Sequence, residues 1–267
     1  MTNPSRPVAL VTGASSGIGT EYARHLSAHG YDLLLVARRS AALDSLAHAL
    51  STQHGVSVRS IAADLATPEG CAQIEAVFAA DDAPGLLVNN AGMGALGAFA
   101  ESDIDAFTQL LTLNVIALTR LSHAALRSFR AHERGTLINI GSIGGLRPMP
   151  NGAVYGASKA YVLNLTRSLQ LEVADMPIRV QLVMPGPVRT EFFSAAGVDE
   201  SVFPAESFVS ASQLVAAAMA GLAAGETVTI PTLPDVGDWD EVARLQEELR
   251  HRAGKLGVIA ERYGVSG

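Results

Sequence analysis

Short runs rich in Val, Leu and Ile alternate along this chain with longer stretches of helical periodicity. This alternation is typical of βαβ units, in which a crossover helix returns the chain to a neighbouring parallel strand. Strands are predicted at residues 8–11, 33–36, 56–61, 86–88, 136–140, 179–183 and 227–230. Helices are predicted at residues 17–28, 41–53, 68–78, 104–130, 152–173 and 211–223. No repeat or linker interrupts the alternation, so the sequence predicts one α/β domain over residues 1–267, with a doubly wound, seven-stranded parallel sheet flanked by helices.

Two regions depart from this regular alternation. Residues 189–210 follow a predicted strand, and a lid over the ligand crevice is expected there, because such crevices form at the carboxyl ends of parallel strands. Four phenylalanines in this region either contact an apolar part of a substrate or only pack the lid; they are Phe192, Phe193, Phe203 and Phe208. The tail over residues 231–267 includes a charged amphipathic helix at 239–253, which is expected to be a solvated or subunit-facing cap.

Charge and hydropathy exclude several classes of partner. The formal net charge of −7 provides no basic field for nucleic acid or anionic lipid, so neither is expected to bind. The longest apolar run is too short to span a bilayer, and the N-terminal residues do not resemble a secretion signal. The single cysteine, Cys71, has no internal partner and is expected to fill the core of a cytoplasmic protein. No metal site is predicted, since His25 and His29 lack a third ligand.

A glycine-rich loop, TGASSGIG, fills residues 12–19 between the first predicted strand and the first predicted helix. Glycine lets the backbone turn tightly and approach a pyrophosphate, while the helix N-terminus offers free N–H groups and a partial positive charge. Strand, loop and helix in this order are the context that a dinucleotide-binding loop requires. The spacing G-x-x-x-G-x-G is one residue longer than the usual dinucleotide fingerprint.

The residues after the second predicted strand indicate which dinucleotide binds. The usual fingerprint has an acidic residue there that holds the ribose 2′-hydroxyl, whereas this chain has Ala37 followed by Arg38 and Arg39. A small residue and two guanidiniums leave space for a 2′-phosphate and supply charge-assisted hydrogen bonds, so NADP(H) is predicted over NAD(H). The alternative is a solvated strand end. Asp64, after the third strand, either accepts from the adenine amino group or caps the next helix.

The stretch YGASK places Tyr155 and Lys159 one helical turn apart on the same face. A cation beside a phenol stabilises the phenolate and lowers a pKa that is otherwise about 10. The pair is therefore a candidate acid/base device, although an exposed helix face also carries Tyr and Lys by chance. Ser142 follows the strand at 136–140 and is suited to hold a reacting oxygen, or only to form a turn. Asn114 is unfavourable inside a predicted helix, which hints at a site.

Six motifs stand in a fixed order along residues 8–230: TGASSGIG, NNAG at 89–92, Asn114, Ser142, YGASK, and Pro185 with Gly186. With these motifs the chain resembles the short-chain dehydrogenase/reductase family, as an NADP(H)-preferring, ketoreductase-like member. The resemblance implies a Rossmann fold with Tyr155 as general acid/base, and with Lys159 lowering its pKa and binding the nicotinamide ribose. It also implies that Ser142 holds the substrate oxygen and that Asn114 lies at a helix irregularity, where it orients water in a proton relay.

The same resemblance implies where the cofactor binds. The NNAG turn is expected to pack near the adenosine ribose, and residues 185–190 are expected to border the nicotinamide. The expected cofactor-binding residues follow the predicted strands or lie on the Tyr–Lys helix; they are Gly13, Ser15, Ser16, Gly17, Ile18, Gly19, Arg38, Arg39, Asp64, Leu65, Asn90, Ala91, Gly92, Tyr155, Lys159, Pro185, Gly186, Val188 and Thr190.

Hydride transfer to a carbonyl carbon makes an alkoxide of its oxygen, so a proton donor and a hydrogen-bond donor must converge there. Tyr155 and Ser142 have those abilities. The sequence therefore predicts an NADP(H)-dependent oxidoreductase that interconverts a ketone or aldehyde with an alcohol. Two alternatives are a non-catalytic NADP(H)-binding regulator or redox sensor, and an epimerase or dehydratase that retains the cofactor.

The resemblance also implies a homodimer or homotetramer, with the helices predicted at 104–130 and 152–173 as the contacts. The expected substrate is a small carbonyl compound or alcohol, possibly with an apolar part. No basic cluster in the sequence marks a site for a carboxylate or an acyl-carrier partner.

Overall fold

The computed structural model describes residues 6–197, 199–255, 257 and 259–265. Contacts divide the chain into two units, Met1–Pro231 and Thr232–Gly267. The second unit coincides with the predicted tail, and the first contains all the strands.

Seven strands of the first unit form one parallel sheet. They are β1 (Val8–Thr12), β2 (Asp32–Ala37), β3 (Val58–Ala62), β4 (Leu86–Asn89), β5 (Gly135–Ile140), β6 (Ile178–Val183) and, numbered by its place in the chain, β9 (Val228–Thr229). The order across the sheet is β3-β2-β1-β4-β5-β6-β9. The chain thus builds outward from β1, returns to place β4 on its other side, and leaves a crevice between β1 and β4 at their carboxyl ends. The predicted α/β fold with a doubly wound, seven-stranded parallel sheet is confirmed.

Eight helices of the described part of the first unit connect these strands: α1 (Gly17–Ala28), α2 (Ser40–His54), α3 (Pro68–Val77), α4 (Ile104–Leu111), α5 (Leu118–Ala131), α6 (Ala153–Glu172), α7 (Phe192–Ala195) and α8 (Ala211–Ala224). Local chemistry sets their ends. Gly55 ends α2 in the left-handed region, with a φ of +63°. Thr67 caps α3 by accepting from the Gly70 N–H, and Pro68 occupies its first turn. Ser210 and Gln213 form a capping box at the start of α8.

Both faces of the sheet are buried, because successive side chains of a strand point to opposite sides. Leu33 and Leu35 of β2 join a core with residues of α1, α2 and α8. Leu34 and Val36 join a second core with residues of α3 and α5. Cys71 lies in that second core and is 3% exposed. Burial on two faces explains why the strands are continuous apolar runs rather than alternating ones.

The helix predicted at 104–130 is not continuous. A π-helix, Thr112–Ala117, separates α4 from α5. An extra residue in one turn adds no signal to the apolar periodicity, so the sequence pattern predicted a single helix. The irregularity that the family resemblance implied at Asn114 is present, since this residue lies inside the π-helix.

The region at 189–210 has more regular structure than the sequence predicted. The two-residue strands β7 (Val188–Arg189) and β8 (Val209–Ser210) pair in parallel and form a small second sheet. The short helix α7 and two 3-10 turns, Glu200–Val202 and Ala205–Ser207, lie between them. Two strand predictions needed adjustment: β3 begins at Val58 because the αL cap at Gly55 delays it, and β9 covers only two residues.

The second unit contains a helix, α9 (Val236–Gly254), and a 3-10 turn, Glu261–Tyr263. Asp235 starts α9 by accepting from the Gly237 N–H at 2.8 Å. Glu–Arg pairs one turn apart line this helix, as the charged pattern predicted. Among the described residues, no helix has the length and apolar character needed to cross a bilayer.

Candidate active site

A cavity of about 1030 Å³ opens at the carboxyl ends of β1 to β6. Its walls are the segments that follow these strands, together with the first turns of α6. Nearly all the predicted site residues line it: Gly13, Ser15, Ser16, Gly17, Ile18, Arg38, Arg39, Asp64, Leu65, Asn90, Ala91, Gly92, Ser142, Tyr155, Lys159, Pro185, Gly186, Val188 and Thr190. Two predicted residues, Gly19 and Asn114, do not line it and act from behind the wall.

The loop after β1 fits a pyrophosphate because its glycines cannot be replaced. Gly13 and Gly17 have φ values of +64° and +53°, a region that favours glycine. A Cβ on Gly19 would lie 2.3 Å from the Gly13 carbonyl oxygen, so this residue permits the close approach of α1 to the loop. Ser16 makes no side-chain cap to α1, which leaves the N–H groups of the first turn directed at the cavity. The bare backbone and the free helix terminus together match a phosphate-binding cradle.

A buried threonine, Thr12, holds the next turn of this cradle. The sequence motifs did not predict this role. The Thr12 hydroxyl accepts from the backbone N–H groups of Asn90 and Ala91, each at 3.0 Å. The Asn90 amide donates back to the Thr12 carbonyl at 2.9 Å. These bonds join the loop after β1 to the NNAG turn after β4, across the point where the strand order reverses. The sequence signal was a polar residue at the end of an otherwise apolar strand.

The two arginines after β2 have different surroundings. Arg39 donates to the Ser15 hydroxyl and to the Ser15 carbonyl, both at 3.2 Å, and pairs with Glu191 at 3.4 Å. Arg38 is exposed and also borders the cavity. Ala37 is only 9% exposed, so the wall beside both guanidiniums is a small side chain. This end of the cavity carries the positive charge and the space that a 2′-phosphate needs.

Asp64 does not cap α3, because Thr67 performs that role. Instead the Asp64 carboxylate accepts from the Ala66 N–H at 3.0 Å, and the residue borders the cavity. The capping alternative is therefore wrong. The expected contact of Asp64 with an adenine amino group stays a prediction.

The side chains of Ser142 and Tyr155 are neighbours: a Cβ built on Gly144 would lie 3.3 Å from the Ser142 hydroxyl oxygen and 3.4 Å from Cε1 of Tyr155. Ser142 comes directly from the end of β5, and its hydroxyl oxygen accepts from the Gly144 N–H at 3.0 Å. That bond fixes the side chain as the cap of a 3-10 turn and leaves its O–H free to donate. Tyr155 lies in the first turn of α6. Burial raises its pKa, and the neighbouring Ser142 hydroxyl, which can donate to the phenol oxygen, opposes part of that rise.

Lys159 lies one turn further along α6, and its ammonium donates to the Ile140 carbonyl at 3.0 Å. Its Nζ is 5.9 Å from the centroid of the Tyr155 ring. Burial lowers the pKa of Lys159 to about 8. Burial is the larger influence on the phenol and raises its pKa. The expectation that Lys159 lowers the Tyr155 pKa stays a prediction.

Asn114 is buried behind the cavity, where the π-helix widens the backbone. Its amide oxygen accepts from the Met93 N–H and its amide nitrogen donates to the Met93 carbonyl, both at 2.9 Å. It also donates to Ser158 at 3.3 Å, and Ser158 donates to the Tyr155 carbonyl at 2.7 Å. Asn114 therefore ties the loop after β4 to the helix that carries Tyr155. The water relay implied by the resemblance stays a prediction.

The four phenylalanines of the region at 189–210 divide into two groups. Phe192 borders the cavity, and its ring centroid lies 5.7 Å from that of Tyr155. Phe193, Phe203 and Phe208 pack on one another with centroids 5.3 to 6.1 Å apart. Packing within the region is thus confirmed for these three. Phe193 and Phe203 also border the cavity, and contact of any of the four with a substrate stays a prediction.

No three His, Cys, Asp or Glu side chains of the described residues come together as a group that could hold a metal ion. The rings of His25 and His29 stack, with centroids 4.2 Å apart, on the outer part of α1. Burial lowers the pKa of His25, and the neighbouring His29 adds to this effect.

The glycine cradle and the Ser142–Tyr155–Lys159 group at one sheet edge define a nucleotide-dependent oxidoreductase as the class of protein. A family model described as short chain dehydrogenase matches residues 7–201. The uncharacterized short-chain type dehydrogenase/reductase y4eK of Sinorhizobium fredii is 37% identical over 193 residues, which are 71% of this chain and 73% of the relative.

Two solved structures extend the likeness to nearly the whole chain. A short-chain dehydrogenase from Sphingobium yanoikuyae in complex with NADPH has a TM-score of 0.92 and 39% identity, covering 96% of this chain and 99% of that one. A bulky-bulky ketone specific alcohol dehydrogenase from Comamonas testosteroni has a TM-score of 0.86 and 36% identity, covering 96% and 98%. The chain belongs to the short-chain dehydrogenase family, which confirms the predicted oxidoreductase class.

Proposed function

We propose that this protein transfers a hydride between NADP(H) and a ketone, aldehyde or alcohol, with Tyr155 as the general acid/base. The observation that carries the proposal is that the neighbouring side chains of Ser142 and Tyr155 border the same cavity as the glycine cradle. The related structures point the same way, since one was solved with NADPH and another acts on bulky-bulky ketones.

When bound, the nicotinamide supplies or accepts the hydride. The chain's own residues handle the proton and the charge on oxygen. The Tyr155 hydroxyl donates its proton to the carbonyl oxygen during reduction, because burial keeps its pKa high and the phenol protonated at neutral pH. The Ser142 O–H stabilises the same oxygen as negative charge develops there. Lys159 is suited to bind ribose hydroxyls, since its ammonium is charged below about pH 8.

The choice of NADP(H) follows from the strand end after β2. Arg38 and Arg39 both border the cavity beside the small Ala37, and neither has an acidic neighbour on β2 that would repel a 2′-phosphate. Gly13, Gly17 and the N-terminus of α1 would hold the pyrophosphate.

Substitution of the acid/base residue tests this function. Tyr155→Phe removes the proton donor but keeps the ring, so carbonyl-dependent NADPH oxidation should fall at least about 100-fold. NADPH binding, followed by fluorescence titration, should remain measurable. Tyr161→Phe is the matched control, because Tyr161 lies on the same helix but bonds only to Thr119 at 2.9 Å and is 38% exposed.

Near-normal turnover of the Tyr155→Phe enzyme would contradict the assigned role. The alternative of a non-catalytic NADP(H)-binding protein is tested with the wild-type chain. A non-catalytic protein would bind NADPH but would not oxidise it with any ketone or aldehyde in a panel.

The assembly and location are parts of the same proposal. Large apolar side chains are exposed along α4, the π-helix and α6, and they support a homodimer or homotetramer; they are Ile104, Leu111, Ile116, Tyr161 and Leu171. Light scattering on the purified chain measures the assembly directly, and a monomer at micromolar concentration would contradict it.

The buried free thiol of Cys71 supports a reducing, cytoplasmic compartment.

A further inference from the structure

The cavity has a substrate half whose walls are mostly apolar. It is formed by the loop after β4, the loop between β5 and α6, and the region at 189–210. Leu96, Met149 and Phe192 are its larger apolar side chains. Met149 Cε and Leu96 Cδ2 would lie 3.1 and 3.5 Å from a Cβ built on Gly152, so they close the cavity over the start of α6. These walls suit an extended apolar substrate body.

One charged side chain interrupts this apolar wall. Arg147 borders the cavity between the catalytic Ser142 and the start of α6. The other ionisable residues around the cavity lie elsewhere: Arg38, Arg39 and Asp64 at the nucleotide end, Glu191 paired with Arg39, and Lys159 below Tyr155. Within the described residues, no acid forms an ion pair with Arg147, and its guanidinium donates only to the Pro148 carbonyl at 3.5 Å.

The segment that carries Arg147 is held rigidly. Ser142 caps its first turn, and the Ile143 N–H donates to the Pro185 carbonyl at 3.0 Å. A Cβ on Gly145 would lie 2.7 Å from the Lys159 backbone, so this turn sits directly on α6. Pro148 restricts the backbone of Arg147. The backbone at Arg147 is therefore held close to Ser142, Tyr155 and Lys159, and its exposed side chain borders the cavity from this turn.

We propose that Arg147 binds an anionic group of the substrate, so that the preferred substrate is a ketone or aldehyde with an apolar body and a carboxylate at its far end. This inference rests on the proposed function, because the carbonyl must reach Tyr155. A guanidinium without an acidic partner, at the wall of an apolar cavity, pairs with a carboxylate through charge-assisted hydrogen bonds. The chain has no basic cluster here, and a single cation is sufficient for one carboxylate.

Matched acids and esters test the proposal. Benzoylpropionate and benzoylbutyrate are reduced with NADPH and compared with their methyl esters, which keep the apolar body and lose the charge. For the wild-type enzyme, kcat/KM for the better acid should exceed that of its ester. In the Arg147→Gln enzyme, kcat/KM for the acid should fall about 10- to 100-fold, the size of one charge-assisted hydrogen bond. The value for the ester should change less than about twofold. Arg147→Lys should recover part of the loss.

The control variant is Arg59→Gln, since Arg59 is an exposed arginine on β3 that does not border the cavity. It should leave the acid-to-ester ratio unchanged. An Arg147→Gln enzyme with the wild-type ratio for both acids would overturn the proposal.

Failure of the proposed function gives a different result. Reduction of the neutral esters tests hydride transfer without Arg147, and inertness of both the esters and the acids would count against the function alone. Binding of benzoylbutyrate to the NADP⁺-loaded enzyme, measured by calorimetry, tests Arg147 without turnover. Equal affinity of wild type and Arg147→Gln for this acid would overturn the proposal whatever the turnover result.

Discussion

At the scale of single residues, burial decides the protonation states of the catalytic pair. Tyr155 and Lys159 are one turn apart, yet the pKa of the tyrosine is raised and that of the lysine is lowered to about 8. Both shifts favour the neutral form of each side chain, as desolvation requires. At neutral pH the tyrosine is a proton donor and the lysine still carries its charge.

These two states predict the pH dependence of carbonyl reduction. Lys159 gains its proton as pH falls through about 8, so kcat/KM for NADPH, which reports the free enzyme, should be constant below that value. Above it, kcat/KM should fall about tenfold per pH unit as the ammonium is lost. Initial rates between pH 6 and pH 10 give the profile. A profile that stays level to pH 10 would show that the Lys159 charge is not needed.

Arg38 provides a residue-scale prediction for the cofactor. Arg38→Ala removes one charge-assisted hydrogen bond to a 2′-phosphate, so kcat/KM for NADPH should fall about 10- to 100-fold. The same enzyme assayed with NADH is its own control, because NADH has no 2′-phosphate, and the value there should stay within about twofold. Equal losses with both cofactors would mean that Arg38 supports the fold rather than the choice of nucleotide.

At the scale of secondary-structure elements, the π-helix between α4 and α5 has an identifiable role. It turns Asn114 toward the Met93 backbone and Ser158, and so connects the loop after β4 to α6. A regular helix would place the next residues about a third of a turn away from these partners.

Substitution of Asn114 tests that connection. Asn114→Leu keeps the branch at Cγ but leaves the part-buried N–H and C=O of Met93 without their side-chain partners, which costs about 1–3 kcal/mol each. Chemical denaturation should therefore show a loss of about 2 kcal/mol or more in the free energy of unfolding. Asn164→Leu on the exposed face of α6 is the control and should change stability by less than about 0.5 kcal/mol. An Asn114→Leu protein as stable as wild type would mean that water replaces the amide.

The region at 189–210 contains a packed part and a cavity-facing part. Phe193, Phe203 and Phe208 stabilise it, and the Arg189 guanidinium lies 5.2 Å from the Phe208 ring centroid. Phe192 alone of the four is close to Tyr155. A lid that covers the substrate remains a prediction for this region.

Phe192→Ala distinguishes the two parts. It removes a wall beside Tyr155, so kcat/KM for the small ketone acetophenone should fall about tenfold, while bulkier aryl ketones should lose less or gain. Phe208→Ala loosens the packed part without enlarging the cavity, and it should lower thermal stability with little change in the ratio of the two substrates. Identical substrate ratios for the two variants would contradict this division.

At the scale of the whole first unit, strand order explains why distant motifs meet. β1 lies between β2 and β4, so the loops after β1 and β4 face each other and Thr12 bonds to the NNAG turn. The segments after β1, β2 and β3 line the nucleotide half of the cavity, and those after β4, β5 and β6 line both halves. Hydride transfer is expected where the two halves meet, beside Ser142 and Tyr155.

The order of strands and helices, the cradle and the Tyr155–Lys159 pair could all be predicted from the sequence. Apolar runs, glycines at fixed spacing and i, i+4 pairs depend only on residues close in the chain, so they can be identified from the sequence alone. The family resemblance supplied Asn114 and its irregular helix, which apolar periodicity alone treated as part of one helix.

Tertiary packing decided the rest. The Tyr155 pKa depends on how deeply the fold buries the phenol, which the spacing of Tyr155 and Lys159 does not report. Phe192 was placed beside Tyr155, and Arg147 at the cavity wall, only by the folding of loops that are far apart in sequence. The sequence by itself determined which chemical groups this protein carries and in what order. The three-dimensional structure decided which groups share a cavity, because desolvation and charge pairing depend on neighbours that the fold brings together.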